Sequence, residues 1–177
     1  MLYLFLENGF EETEAVAAYD MIKRANIKIK TVSRFPEVTG AHNIKIIPEL
    51  NINDASFDNL EGIILPGGQP GTDNLMANEK VIEFIKYANE NKLLIAAICA
   101  APSILGRLGL LKGKKAVVFP GFEKELKDAV LVNEKVVKDG NIITAKAMGA
   151  AISFGAKIVE YFKGADKANE ILDSIYE

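Results

Sequence analysis

The chain has 177 residues, a length that fits one domain, and 49% of them are hydrophobic, enough to bury a large core without a metal or disulfide staple. Its formal net charge of -3 gives nucleic acid no basic surface, and the lysines at 112, 114 and 115 read as a solvated turn. One cysteine forms no internal disulfide and suits a reducing compartment; with a single histidine, it also excludes the usual zinc constellations.

The apolar run Leu2–Leu6 reads as a strand. Glu7 ends it, leaving it too short for a signal peptide or a membrane span, so a cytoplasmic protein without membrane contact is expected. Glu11–Ala25 reads as a helix with Ala15, Ala18, Tyr19 and Ile22 on one face. Strands are predicted at Ile27–Ser33, at Ile44–Ile47 before Pro48, and at Gly62–Leu65 before Pro66-Gly67-Gly68. Val81, Phe84, Ile85 and Ala88 mark a helix. The continuous apolar run Leu93–Ile98 suits a parallel strand buried on both faces. A helix from about Ala100 to Leu108 and a strand at Ala116–Phe119 are expected next. Short strands follow at Val130–Val132, Val136–Lys138 and Ile142–Ala145, the last two joined by an Asp139-Gly140 turn. Two helices close the chain, one carrying Ile152, Ala156 and Val159 and the other Ala168, Ile171, Leu172 and Ile175. Strands alternating with helices imply an α/β fold, a flavodoxin-like doubly wound sandwich with a mostly parallel sheet.

Ligands of such sheets bind at the carboxyl ends of the strands, where three loops should meet. In Ala97-Ile98-Cys99-Ala100-Ala101, small residues stand two positions before and two after the cysteine, as a nucleophile elbow requires. The turn would hold Cys99 at positive φ and set its sulfur at a helix N-terminus, which favours a thiolate of lowered pKa. The same pattern also fits an inert core cysteine in an alanine-rich helix start. In Glu7–Glu14, acids of a first helical turn ordinarily complement the helix dipole. Glu14 borders the apolar stripe, where burial would raise its pKa and let it donate a proton to a thiolate, yet Glu11 lies nearer the stripe's centre. The loop Pro66–Gly71 matches neither phosphate-binding glycine pattern. It reads as a tight turn, or as a place where the Gly68 N–H joins that of Ala100 in an oxyanion hole.

Glu11-Glu12-Thr13-Glu14, Leu65-Pro66-Gly67-Gly68 and Ala96-Ala97-Ile98-Cys99-Ala100-Ala101-Pro102, in this order and spacing, resemble the ThiJ/PfpI superfamily in its DJ-one branch. The resemblance covers nearly the whole chain. It implies a homodimer joined near the first helix, without cofactor or metal, and a reactive, easily oxidised Cys99. By the same resemblance Glu14 is the carboxyl beside the sulfur, Gly68 and Ala100 are the backbone donors, and Arg24 stands near the entrance of the dimer site. A second family arginine falls at His42. The histidine that the family's glyoxalase and deglycase members place before a proline is Phe119 here, and the histidine that protease members carry directly after the cysteine is Ala100. Two functions follow as expectations: thiol chemistry on small reactive carbonyl compounds, or a non-catalytic redox sensor that responds through oxidation of Cys99.

Overall fold

Strands that are apolar on both sides need cover on both sides, and helices supply it here. The computed structural model describes residues 1–177. Its elements are β1 (Leu2–Phe5), α1 (Glu12–Arg24), β2 (Ile29–Ser33), β3 (Val38–Thr39), β4 (Lys45–Ile46), β5 (Leu50–Asn51), β6 (Gly62–Leu65), α2 (Gly71–Ala77) and α3 (Glu79–Glu90). They continue with β7 (Leu94–Ile98), α4 (Pro102–Arg107), β8 (Lys115–Ala116), β9 (Val130–Leu131), β10 (Val136–Asp139), β11 (Ile142–Ala145), α5 (Ala151–Lys163) and α6 (Ala165–Ser174).

Seven strands form one sheet in the order β10-β11-β7-β6-β1-β2-β5. All neighbours are parallel except the β10–β11 pair. This is the flavodoxin-like α/β architecture. Along β1, Leu2 and Leu4 join the core shared with α1, α5 and α6, while Tyr3 and Phe5 join the core under α2, α3 and α4. Burial is complete at Phe154 of α5, and truncating such a residue to alanine costs about 3–5 kcal/mol. Strand order reverses at β1, which has β2 on one side and β6 on the other. The crevice at the carboxyl end of such a switch point is where these sheets bind ligands. Register keeps the ends level there, with Leu65 opposite Ala97 and Ile98 opposite Ala145.

Caps set the helices that frame this crevice. Glu11 precedes α1 in extended conformation, and its carboxylate accepts from the Glu14 N–H at 2.6 Å. Asn78 caps α3 through the Lys80 N–H, and Pro102 opens α4, where a missing N–H costs nothing.

Three expectations change. Of Ala116–Phe119, only Ala116 lies in a strand, because the chain leaves β8 and the Phe119 N–H turns to the Cys99 carbonyl at 2.8 Å. The helix after Cys99 begins at Pro102, since Cys99-Ala100-Ala101 form the turn. Helix α2 and the short strands β3 and β5 add to the expected elements. Other boundaries move by one or two residues. No helix is long and apolar enough to cross a membrane.

Candidate functional site

Three loops converge at the carboxyl ends of β1, β6 and β7. Glu7 anchors the first. Its fully buried carboxylate accepts from Arg34 Nε at 3.1 Å and Asn78 Nδ2 at 2.7 Å. The Glu11 N–H then donates to the Gly67 carbonyl at 2.9 Å, which locks the first loop to the second. Cys99 directly follows β7 with φ +63°, the left-handed conformation required of an elbow. Both of its backbone polar groups are used: its N–H donates to the Ala145 carbonyl at 2.9 Å, and its carbonyl accepts from Phe119. Ala97 and Ala101 are fully buried on either side, so the turn has no room for larger residues there.

Glu14 lies in the first turn of α1 and is 1% exposed. Its Oε2 accepts from the Gly67 N–H at 2.8 Å, while Oε1 is buried without a partner. A Cβ placed on Gly67 would lie 2.8 Å from that Oε2, 2.6 Å from Cys99 Cβ and 3.1 Å from Cys99 Sγ. Gly67 is therefore the spacer that lets carboxyl and thiol meet. Gly68, at φ +91°, turns its own N–H toward the sulfur, where the Ala100 N–H joins it.

Burial dominates the electrostatics. It pushes the Glu14 carboxyl up to about 7, against the Gly67 N–H and the Cys99 thiol, which both favour the anion; the nearby Glu11 carboxylate pushes it further up. Facing an ionised Glu14, the Cys99 thiol is pushed up to about 12, by burial first and then by the carboxylate's charge and hydrogen bond. The Ala100 and Gly68 N–H groups act in the opposite direction and are outweighed. This corrects the expectation of a thiol lowered by its own helix terminus. Helix α4 has six residues and starts three positions beyond the sulfur, so burial decides instead. Glu14 and Cys99 titrate as a pair, and between the two values they hold one proton in common.

Four of the five expected residues, Cys99, Glu14, Gly68 and Ala100, come together. Arg24 does not. It sits at the far end of α1, about 15 Å along the axis from Glu14 at 1.5 Å per residue, and pairs with Asp20 at 2.6 Å. His42 also stays away from the sulfur. Its Nδ1 is 3.0 Å from Glu12 Oε2, and its ring is 75% exposed. The Glu12 carboxylate accepts the His42 and Ile44 N–H groups as well, which holds it below the usual carboxylate range despite burial. In the sequence Gly67 belongs to the Leu65-Pro66-Gly67-Gly68 motif without a role of its own, and the paired glycines just past a strand are the signal for one. The sequence also leaves Glu11 against Glu14 open, which the cap resolves.

A model of the DJ-1/PfpI family matches residues 1–161. The chain belongs to the DJ-1/PfpI family. It is 31% identical over 172 residues to the protein dj-1beta of Drosophila melanogaster, covering 95% of this chain and 92% of that one. To the DJ-1 homolog B of Arabidopsis thaliana it is 34% identical over 169 residues, 94% of this chain. The chain spans 39% of that relative's length and 42% of that of the Arabidopsis DJ-1 homolog A. The structure of an oxidised Toxoplasma gondii DJ-1 superposes with a TM-score of 0.94 at 26% identity, covering 99% of this chain and 97% of that chain.

Proposed function

We propose that this DJ-1/PfpI protein uses Cys99 as a nucleophile toward small reactive aldehydes. The observation that carries the reading is the buried Glu14 carboxyl set against the Cys99 sulfur at the elbow. In the step proposed, the sulfur forms a bond to the aldehyde carbon as the thiol proton passes to the Glu14 carboxylate. The carbonyl π electrons move to oxygen, which the Gly68 and Ala100 N–H groups stabilise. Glu14 then returns the proton to that oxygen and leaves a neutral hemithioacetal. A carboxyl near pH 7 suits both transfers. Later steps lack the histidine found elsewhere in the family, because Phe119 occupies its place, so turnover is expected to be slow. The test is consumption of methylglyoxal by native protein and Cys99→Ala. Loss in the variant supports the reading; equal consumption by both sinks it.

The oxidised state of the T. gondii relative favours a second reading, in which peroxide oxidises Cys99 to sulfenic acid and is itself reduced to water. Intact-mass measurement after peroxide treatment separates the two. The proposed partner is a second copy of the chain, in the cytoplasm. Val16 on α1 is 51% exposed, and Ile44 and Ile47 beside it 56% and 77%, an apolar cluster a homodimer would cover. Sedimentation at micromolar concentration tests this, and a single species near 19 kDa contradicts it.

A further inference from the structure

The loop before β4 closes on the first turn of α1 through one carboxylate. Glu12 opens that helix and is buried, and its Oε1 accepts the His42 N–H at 2.7 Å and the Ile44 N–H at 3.4 Å. Its Oε2 faces His42 Nδ1 at 3.0 Å. A Cβ on Gly40 would overlap the Glu12 carboxylate, so glycine is what lets the loop seat it. Glu11 stands beside it, with its Oε2 held by the Glu14 N–H at 2.6 Å. One ligating atom from each of Glu11, Glu12 and His42 lies within 4.8 Å of the other two. His42 is the only histidine of the chain.

Loop closure does not account for the imidazole. Two backbone N–H groups already hold Glu12, and a ring 75% exposed adds little to an ion pair in water. The spacing suits a shared cation. Nitrogen and oxygen ligands about 2.1 Å from one ion, in octahedral or tetrahedral geometry, stand about 3.0–3.4 Å from each other. His42 Nδ1 and Glu12 Oε2 already stand at 3.0 Å. The half-buried Glu11 carboxylate closes on them by side-chain rotation. Metal ligands are oriented by a further set of hydrogen bonds. Here the His42 and Ile44 N–H groups orient Glu12, and the Glu14 N–H orients Glu11. The exposed ring leaves a path from solvent. With Thr13 and Asp20, Glu12 also lines an open cavity of about 420 Å³, room for the waters that complete a coordination shell.

We infer that Glu11, Glu12 and His42 form a binding site for a divalent transition-metal cation, separate from Cys99. The two carboxylates balance the charge of the ion. The imidazole nitrogen selects against Mg²⁺ and Ca²⁺, which take oxygen ligands. Among first-row divalent ions, Cu²⁺ binds such a nitrogen and oxygen set most tightly. Binding replaces the proton held between Nδ1 and Oε2 with the ion, and that proton passes to solvent. The set differs from the cysteine and histidine constellations of structural zinc, and it leaves coordination positions to water.

The test uses the full chain carrying Cys99→Ala, because a free thiol would bind or reduce the probe, Cu²⁺. Affinity is read by isothermal titration, and the ligands by electron spin-echo envelope modulation at one equivalent of Cu²⁺. The parent chain should bind one equivalent with modulation from one imidazole, which the single histidine assigns to His42. His42→Ala should abolish that modulation. It should also weaken binding at least about tenfold, since losing a ligand costs no less than losing a group that orients one. Glu12→Gln and Glu11→Gln should each weaken binding about tenfold, with circular dichroism confirming the fold. Excess Mg²⁺ should displace none of the Cu²⁺. Absence of imidazole modulation in the parent chain overturns the inference, as does unchanged affinity in folded His42→Ala. Affinity untouched by both glutamine variants leaves a lone exposed histidine and overturns the site as well. Should Glu12→Gln unfold the chain, Glu11→Gln decides the part of the carboxylates.

Discussion

Replacing Glu14 by glutamine removes an ionisable group that the fold buries at a cost, so the substitution should stabilise the protein, and only above a defined pH. The carboxyl rises from 4.5 in the unfolded chain to about 7 in the fold, a difference worth about 3 kcal/mol. The native state therefore holds the Glu14 proton more tightly than the unfolded state does. Below pH 4.5 both states are protonated and no penalty exists. Between pH 4.5 and 7 the unfolded chain ionises first, and native stability falls as pH rises. Above 7 the whole penalty is present. Glu14→Gln keeps an acceptor for the Gly67 N–H and carries no charge. Urea unfolding at pH 4 should show little pH-linked gain for the variant, and at pH 8 a gain of about 3 kcal/mol. That is a midpoint shift of about 1–2 M at ordinary denaturant slopes. Curves for native and variant that stay parallel from pH 4 to pH 8 would refute the claim that Glu14 is buried with a raised pKa.

Gly67→Ala puts a methyl group between Cys99 Cβ and Glu14 Oε2, where 2.6 Å and 2.8 Å leave no room. It should cost about 1–3 kcal/mol by urea unfolding and slow Cys99 alkylation at pH 7.5 at least tenfold. His42→Ala should cost under about 1 kcal/mol, because the ring is exposed and Glu12 keeps two backbone donors. It should leave the pH profile of Cys99 alkylation in place, whereas a moved profile would connect His42 to the thiol. Phe119→His restores an acid–base group beside Cys99 at a half-exposed position that tolerates an imidazole. Methylglyoxal turnover should rise about 10²-fold, and no rise in a folded variant would show that the histidine is not what limits the native protein.

The sheet was readable because its central strands, such as Leu94–Ile98, are apolar on both faces, and only a doubly covered parallel sheet accommodates them. Helix α2 is not legible because Gly71-Thr72-Asp73-Asn74 are turn-forming residues, yet Thr72 is buried and Leu75 joins the core, which favours the helix. At Ala116–Phe119 the pattern suited a strand, but Phe119 serves the Cys99 carbonyl instead. The elbow itself was legible, since only small residues fit beside Cys99. Which acid of Glu11, Glu12 and Glu14 faces the sulfur was not legible from periodicity. Three adjacent carboxyls take three jobs here: one caps α1, one holds the His42 loop, and one goes under the elbow. The direction of the thiol's shift was also hidden, because it depends on burial and on a carboxylate brought in from another loop.

The most direct measurement is the rate of Cys99 alkylation by iodoacetamide against pH, for native protein and Glu14→Gln. Once ionised, Glu14 can take the Cys99 proton as the carbon–sulfur bond forms, so the native alkylation midpoint should follow Glu14 and fall near pH 7. In Glu14→Gln the thiol stands alone in a buried site, and its midpoint should move above the ordinary cysteine value of about 8.5. A native midpoint at or above that value, unmoved by the substitution, would contradict the pairing of Glu14 with Cys99.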